Sequence, residues 1–252
     1  MRSGSPPVGT TTDSLLAAGA DTASDPDVVV RTPQPLHLGH HGVVLESTEL
    51  RSWIWPTPEN LAPVVVLHGS GQDENTLLSF ARAACPGHTI ITVRGRITWE
   101  KGFAFFRRNP DRTLDGADLA HGAAAIQHLL EDLQDTYSES PILLGFSNGA
   151  IAAAAAIVRA PDLSAGAILL RPLSPFPERV FPPLHGYPVL LVSGEGDARR
   201  NRADGPTLAR QFKSAGAATS LVVLPVGHGL TNADENAVTK WLPKVPRQRG
   251  VR

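Results

Sequence analysis

Gly145-Phe146-Ser147-Asn148-Gly149 follows directly on the apolar run Ile142-Leu143-Leu144 and leads into the alanine-rich stretch 150–156. That order reads as a strand, a turn of the form G-x-S-x-G, and a helix. Such a turn pushes its serine out of the sheet edge and needs glycine where strand and helix cross. Ser147 is therefore a candidate nucleophile for acyl transfer. A serine hydroxyl is a poor nucleophile unless a base takes its proton and a third group orients that base.

Downstream of Ser147 the chain offers both, in the order serine, acid, histidine that α/β-hydrolases use. Asp197 follows the apolar run Val189–Val192 through Ser193-Gly194-Glu195-Gly196, and His228 follows Leu221–Leu224 within Pro225-Val226-Gly227-His228-Gly229. Glu195 competes for the role of acid. Asp197 is favoured because Gly194 and Gly196 let the loop curl back before it. The other histidines fit less well, since His121 and His128 fall on a long helix, His185 in a proline-rich loop and His88 at the start of a strand. Acyl transfer also needs donors for the developing oxyanion. The backbone N–H of Asn148, at the start of the helix after the nucleophile, is one. The N–H of Ser70, between Gly69 and Gly71 in the loop after the run 63–67, is the other.

Elements able to position these groups alternate along the chain. Residues 42–46 and 52–55 read as a pair of edge strands, and Pro63–Leu67 as a strand covered on both faces. A helix is expected over 73–84, with Asp73 and Glu74 as N-cap and first-turn acids. A strand over 88–93 and a long loop, 94–112, follow. The apolar stripe Leu119, Ala123, Ile126, Leu130, Leu133 and Tyr137 has helical spacing. After it come strand 141–145, the Ser147 helix, strands 167–170 and 189–192, helix 204–215, strand 221–224 and helix 232–242. Asp204 suits the N-cap or first turn of its helix. This rhythm predicts an α/β domain over 37–245, with a mainly parallel sheet flanked by helices. Residues 1–36, rich in Ser, Thr, Pro, Gly and Asp, read as a disordered leader, and 246–252 as a flexible basic tail. The connection 172–188 is too short for a lid domain.

Taken together, the motifs resemble the phospholipase/carboxylesterase branch of the α/β-hydrolases, which includes acyl-protein thioesterases and small bacterial carboxylesterases. The matching residues are the run 67–74, the pentapeptide 145–149, Gly194 with Asp197, and Gly227-His228-Gly229. Arg94-Gly95-Arg96, Phe105-Phe106-Arg107-Arg108 and Leu169-Leu170-Arg171-Pro172 further resemble the bacterial subgroup with an asparagine after the serine. The resemblance spans about 40–242. It implies the α/β-hydrolase fold, Ser147 as nucleophile, His228 as base, Asp197 as orienter, the Ser70 and Asn148 amides as oxyanion donors, and no metal or organic cofactor. The segment 196–202 departs from the family: it is strongly basic where members carry a hydrophobic, proline-containing stretch, which argues against a lipid-like acyl group. Trp99, Phe103, Phe105 and Phe106 are expected as pocket walls. Arg107, with Arg108, is expected either to hold an acidic substrate group or to pair with Asp111 and Asp115.

Composition narrows the partners. The charge balance, 23 basic against 24 acidic side chains, gives no electrostatic ground for nucleic acid or an anionic membrane. The basic clusters at 94–112 and 199–202 are expected either to be solvated loop charges, which is favoured, or to meet a small anionic group. One cysteine, Cys85, excludes an internal disulfide, suits a reducing compartment and reads as a packed helix-end residue. His37, His40 and His41 cluster without further ligands to make a metal site and are expected to face solvent. No run approaches the roughly 18 apolar residues of a membrane span, and the N-terminus does not read as a signal peptide. The expectation is a cytoplasmic serine carboxylesterase, monomer or homodimer, acting on a small-molecule ester. Two alternatives stand beside it: an acyl-protein thioesterase or lysophospholipase-like activity on the same chemistry, and a non-catalytic ligand-binding protein of this fold.

Overall fold

The computed structural model describes residues 43–46, 49–59 and 61–247. The leader and the histidines at 37, 40 and 41 lie outside them. In chain order the strands and helices are β1 (Val43–Glu46), β2 (Arg51–Trp55), β3 (Leu61–Leu67), α1 (Leu78–Ala84), β4 (His88–Arg94), β5 (Ile97–Trp99), β6 (Gly102–Ala104), α2 (Gly116–Thr136), β7 (Ile142–Phe146), α3 (Asn148–Arg159), β8 (Gly166–Leu170), β9 (Pro188–Gly194), α4 (Asp204–Ser214), β10 (Ala218–Leu224) and α5 (Asn232–Trp241).

Eight strands form one sheet in the order β1-β2-β4-β3-β7-β8-β9-β10. From β4 through β10 every neighbour pair is parallel, and β1 and β2 complete the sheet antiparallel. In β3, Pro63 supplies no N–H to the ladder, and the register with β4 shifts between Leu61 and Val64. Beyond the shift, side chains alternate between two cores. Val65 and Leu67 join α2, α3 and α4, whereas Val64 and Val66 join α1 and α5. Both faces are thus covered by helices, which explains why the central strands read as unbroken apolar runs.

Helix α3 is buried on every side from Asn148 to Ile157. Its alanines let it lie close to the sheet and to α2 at once, and Gly145 and Gly149 set the closest approach. A Cβ on Gly149 would stand 2.2 Å from the Leu67 carbonyl oxygen, and one on Gly145 would stand 2.6 Å from that of Gly149. Between them Ser147 takes φ 53° and ψ −105°, a left-handed conformation that costs a non-glycine residue about 1–3 kcal/mol.

Three expectations are corrected. The helix expected from 73 begins at Leu78, because the Asp73 carboxylate instead folds 73–76 into a turn, accepting from the amides of Asn75 and Thr76 and from the Thr76 hydroxyl. The 94–112 loop contains the hairpin β5–β6, which docks on the 69–72 loop by backbone bonds from Gly71 N–H to Phe103 O (2.9 Å) and from Phe103 N–H to Gln72 O (2.8 Å). Strand β10 begins at Ala218 rather than 221, its register with β9 continuing over all seven residues. Cys85 caps α1 and is buried, and that burial pushes its thiol up to about 12. The connection 171–187 carries no helix or strand.

Gly149→Ala is expected to cost more than about 2 kcal/mol, since neither backbone can yield without moving strand or helix. Urea unfolding checks it; an unchanged midpoint would show that the crossing is looser than described.

Candidate active site

Ser147 leaves β7 with its N–H donated to the Leu170 carbonyl (2.9 Å), so the turn is pinned to the neighbouring strand β8. His228 stands on the loop between β10 and α5, and Asp197 on the loop after β9. The three side chains meet: His228 Nδ1 lies 2.8 Å from Asp197 Oδ2, and His228 Nε2 lies 3.1 Å from Ser147 Oγ. With Nδ1–H donated to the carboxylate, Nε2 is left with its lone pair toward the serine hydroxyl. Asp197 is buried and its second oxygen accepts from the Arg199 amide at 2.8 Å, while Glu195 is exposed with its backbone tied to β10. Of the two acids, only Asp197 reaches the imidazole.

Burial pulls the His228 imidazole below its ordinary value, and the charges of Arg200 and Arg199 pull the same way, against Asp197, which favours the protonated ring. The ring also rests against Phe146, with centroids 5.2 Å apart.

The amides expected as oxyanion donors are uncommitted. Gly69 N–H donates to Gln72 Oε1 (2.7 Å) and Gly71 N–H to Phe103 O, which leaves Ser70 N–H without an acceptor among the described residues. Asn148 N–H is the first orphan donor of α3. The two segments are joined where Gly149 N–H donates to the His68 carbonyl at 3.0 Å.

Four side chains that were given no role in the sequence hold this arrangement. The Asn148 side chain points inward, accepting from Phe105 N–H (2.8 Å) and donating to Phe106 O (3.1 Å). His68 is buried, with Nδ1 2.7 Å from the Gly69 carbonyl and Nε2 accepting from Gly95 N–H at 2.9 Å. These partners fix the neutral Nδ1–H tautomer, and burial lowers the pKa of the ring. Arg171, fully buried and at φ 54°, forms a bidentate pair with buried Asp234 (2.7 and 3.0 Å) and donates to the carbonyls of Gly227 (2.9 Å) and Gly229 (3.0 Å), the two neighbours of His228. Arg200 donates through Nε to Arg171 O (2.8 Å) and through Nη2 to Ser147 Oγ (3.0 Å). An arginine placed between a wholly apolar strand and a proline was the available signal for Arg171. Nothing in Arg199-Arg200-Asn201-Arg202 distinguishes Arg200 from its neighbours.

Two of the residues expected as substrate contacts are buried away from solvent. Phe105 and Phe106 are buried in the core, clamped by Asn148, and cannot wall a pocket. Trp99 and Phe103 are half-buried on the hairpin, and the guanidinium of Arg94 lies over the Phe103 ring. Arg107 is exposed, its amide held by Asp118. Arg108 donates to the Arg112 carbonyl; Asp111 and Asp115 instead cap their own turns, at Thr113 and at the start of α2. Glu74 does not face solvent in a helical first turn. It is buried in a bidentate pair with Arg94 (2.7 and 2.6 Å), behind the 69–72 loop. A cavity of about 360 Å³ opens beside the site between Gln72, Phe80, Phe146, Leu230 and Thr231. Among the described residues no group of three or more His, Cys, Asp or Glu side chains converges as a metal site requires, and no helix is long and apolar enough to cross a membrane.

Comparison with known proteins places this geometry in a fold. No protein-family model matches the chain. It is 28% identical over 181 residues to “Putative hydrolase MhqD” of Bacillus subtilis (strain 168), covering 71% of this chain and 90% of that one. Among solved structures, a Bacillus cereus carboxylesterase superposes with a TM-score of 0.74 at 23% identity, over 79% of this chain and 95% of its own. A carboxylesterase from Mesorhizobium loti superposes with a TM-score of 0.70 at 25% identity, over 80% and 98% respectively. The chain has the α/β-hydrolase fold, without a large lid domain among the described residues.

Arg171→Met is expected to destabilise the protein by about 3–5 kcal/mol, because Asp234 is left buried and unpaired. Adding Asp234→Leu should restore part of that stability, while the carbonyls beside His228 remain without their donors. Denaturant titration of both variants checks this; a single variant as stable as the parent would contradict it.

Proposed function

We propose that the chain is a serine hydrolase that cleaves small carboxylic esters through an acyl-enzyme. The observation that carries this is the continuous chain Asp197–His228–Ser147, with both hydrogen bonds at catalytic distances. Ser147 Oγ attacks the ester carbonyl as His228 Nε2 takes its proton. Asp197 holds the ring in the Nδ1–H tautomer and stabilises the imidazolium. The carbonyl oxygen, now an anion, receives the N–H groups of Ser70 and Asn148. Collapse of the tetrahedral species expels the alcohol, which takes the proton from His228. Water then repeats the sequence on the acyl-enzyme and frees Ser147.

Two further observations support the reading. The left-handed backbone of Ser147 is a local cost that a merely structural serine would have no reason to retain. The carboxylesterases of similar fold from B. cereus and M. loti support ester hydrolysis as the reaction class. The cavity beside Phe146 and Leu230 has room for a short acyl or alcohol group.

Ser147→Ala is expected to lower turnover of p-nitrophenyl acetate or butyrate by at least about 10⁴-fold and to abolish labelling by a fluorophosphonate. Asp197→Asn should cost on the order of 10⁴-fold with the fold intact. Undiminished turnover in Ser147→Ala would overturn the assignment. The acidic limb of kcat/KM should fall below pH 6.5, because the base works when unprotonated and its burial lowers the pH at which it takes up a proton. A pH–rate profile with its acidic limb above 6.5 would contradict that sign.

A further inference from the structure

The Arg200 guanidinium is the cation hydrogen-bonded to Ser147 Oγ, and among the described residues no carboxylate forms an ion pair with it. Of its five N–H donors, three are used, on Arg171 O, Arg199 O and Ser147 Oγ. Two remain. The acidic groups that face it are already engaged: Asp197 by His228 and the Arg199 amide, Asp204 by the Asn201 amide at 2.9 Å. Neither forms an ion pair with Arg200. Arg108, half-buried, adds a second positive charge to the same region, and Arg199 a third. Burial, and after it the charge of Arg108, bring the Arg200 guanidinium down to about 10 against the opposing pull of Asp197 and Asp204, so it stays charged at neutral pH. A partly desolvated cation with no carboxylate in direct contact is costly unless an anion arrives to meet it.

Its position limits what that anion can be. Nη2 lies 3.0 Å from the oxygen that becomes the acyl-enzyme ester. A carboxylate held by the remaining donors at about 2.8 Å therefore lies within about 6 Å of the attacked carbon. Resting on the reading of Ser147 as nucleophile, we propose that Arg200 receives a carboxylate carried by the substrate, so that the preferred esters are short and anionic near the scissile bond, as in half-esters of small dicarboxylic acids. A carboxylate on the acyl side stays with Arg200 through both half-reactions; one on the alcohol side leaves after the first. The guanidinium fork, already aligned by the Arg171 carbonyl, loses little freedom on meeting it.

The test compares kcat/KM for monomethyl succinate with that for methyl butyrate and dimethyl succinate, and for acetoxyacetate with ethyl acetate, by proton release at low salt. A preference on the order of 10- to 100-fold for one anionic ester is expected, reduced to about unity in Arg200→Gln and weakened by salt in the parent. Whether succinate or acetoxyacetate shows it assigns the acyl or the alcohol side. Equal turnover of anionic and neutral esters by the parent overturns the proposal and leaves the esterase reading standing. A variant that slows both esters alike, with the ratio kept, also overturns it, since Arg200 then acts on Ser147 alone. If no ester is turned over and a fluorophosphonate does not label Ser147, the esterase reading falls. The carboxylate site is then judged by calorimetric binding of monomethyl succinate to Ser147→Ala, lost on adding Arg200→Gln. Where Arg200→Gln does not fold, protection of the parent's Ser147 from the fluorophosphonate decides it. Monomethyl succinate should protect and dimethyl succinate should not; equal protection overturns the proposal.

Discussion

The ion pair between Arg171 and Asp234 is the contact on which the site's geometry depends. Both side chains are fully buried, and each is hydrogen-bonded beyond the pair itself. From the end of β8 the guanidinium reaches the carbonyls on either side of His228, while its own N–H donates to the Val192 carbonyl and its own carbonyl accepts from Arg200 Nε. Asp234 takes both the amide and the hydroxyl of Thr231, closing the N-terminus of α5 that the histidine loop feeds. Three loops that emerge from separate strands are thus referenced to one cation. A buried pair is weak evidence for net stability, because desolvation consumes much of its attraction. Here its value lies in geometry: the loop around His228 is glycine-rich and would otherwise wander.

The other half of the site is held by hydrogen bonds from neutral groups. Asn148 uses its amide N–H at the helix start and its side chain on Phe105 and Phe106, so one residue faces the reacting centre and the core at once. That clamp draws the 102–106 segment under the 69–72 loop, where Phe103 pairs with Gly71 and Gln72. His68 completes the ring by accepting from Gly95. Each flanking amide around Ser70 is committed to a partner, which fixes the direction of the one that is free. Preorganised donors of this kind need no reorganisation as charge develops.

Much of this was legible in the sequence, and the boundary has a physical cause. The strand–turn–helix at Ser147, the glycines around it and the placing of Asp197 and His228 on strand exits are local patterns, set by backbone sterics and burial. The sheet and its helices follow from periodicity. What escaped depends on where a long side chain goes after leaving a loop. Arg200 and Arg202 look alike in sequence, yet only Arg200 folds back, because the Arg171 carbonyl waits for it. Phe105 and Phe106 looked like pocket walls because they sit beside charges in a loop. Asn148 decides otherwise, and its reach of over 40 residues has no sequence signature. Glu74 turned inward for a similar reason, its partner Arg94 lying 20 positions away.

If Ser147 is the nucleophile, as proposed, the charges near it pull in compatible directions. A cation at Ser147 Oγ would then favour a developing alkoxide, and it disfavours a protonated His228, which would keep the proposed base free when it is needed. Asp197 opposes the second effect and prevents it from going too far, since an imidazole with too little basicity would accept the proton poorly. The same cation would hinder the site if it held the serine oxygen too tightly, because Oγ must leave its hydrogen bonds to form the acyl bond. The anionic substrate proposed above would relieve that conflict by drawing the guanidinium onto itself and freeing Oγ as it binds. Binding energy from a non-reacting part of the ester would then be used on the reacting atom, which is how a small open site without a lid can discriminate among small esters.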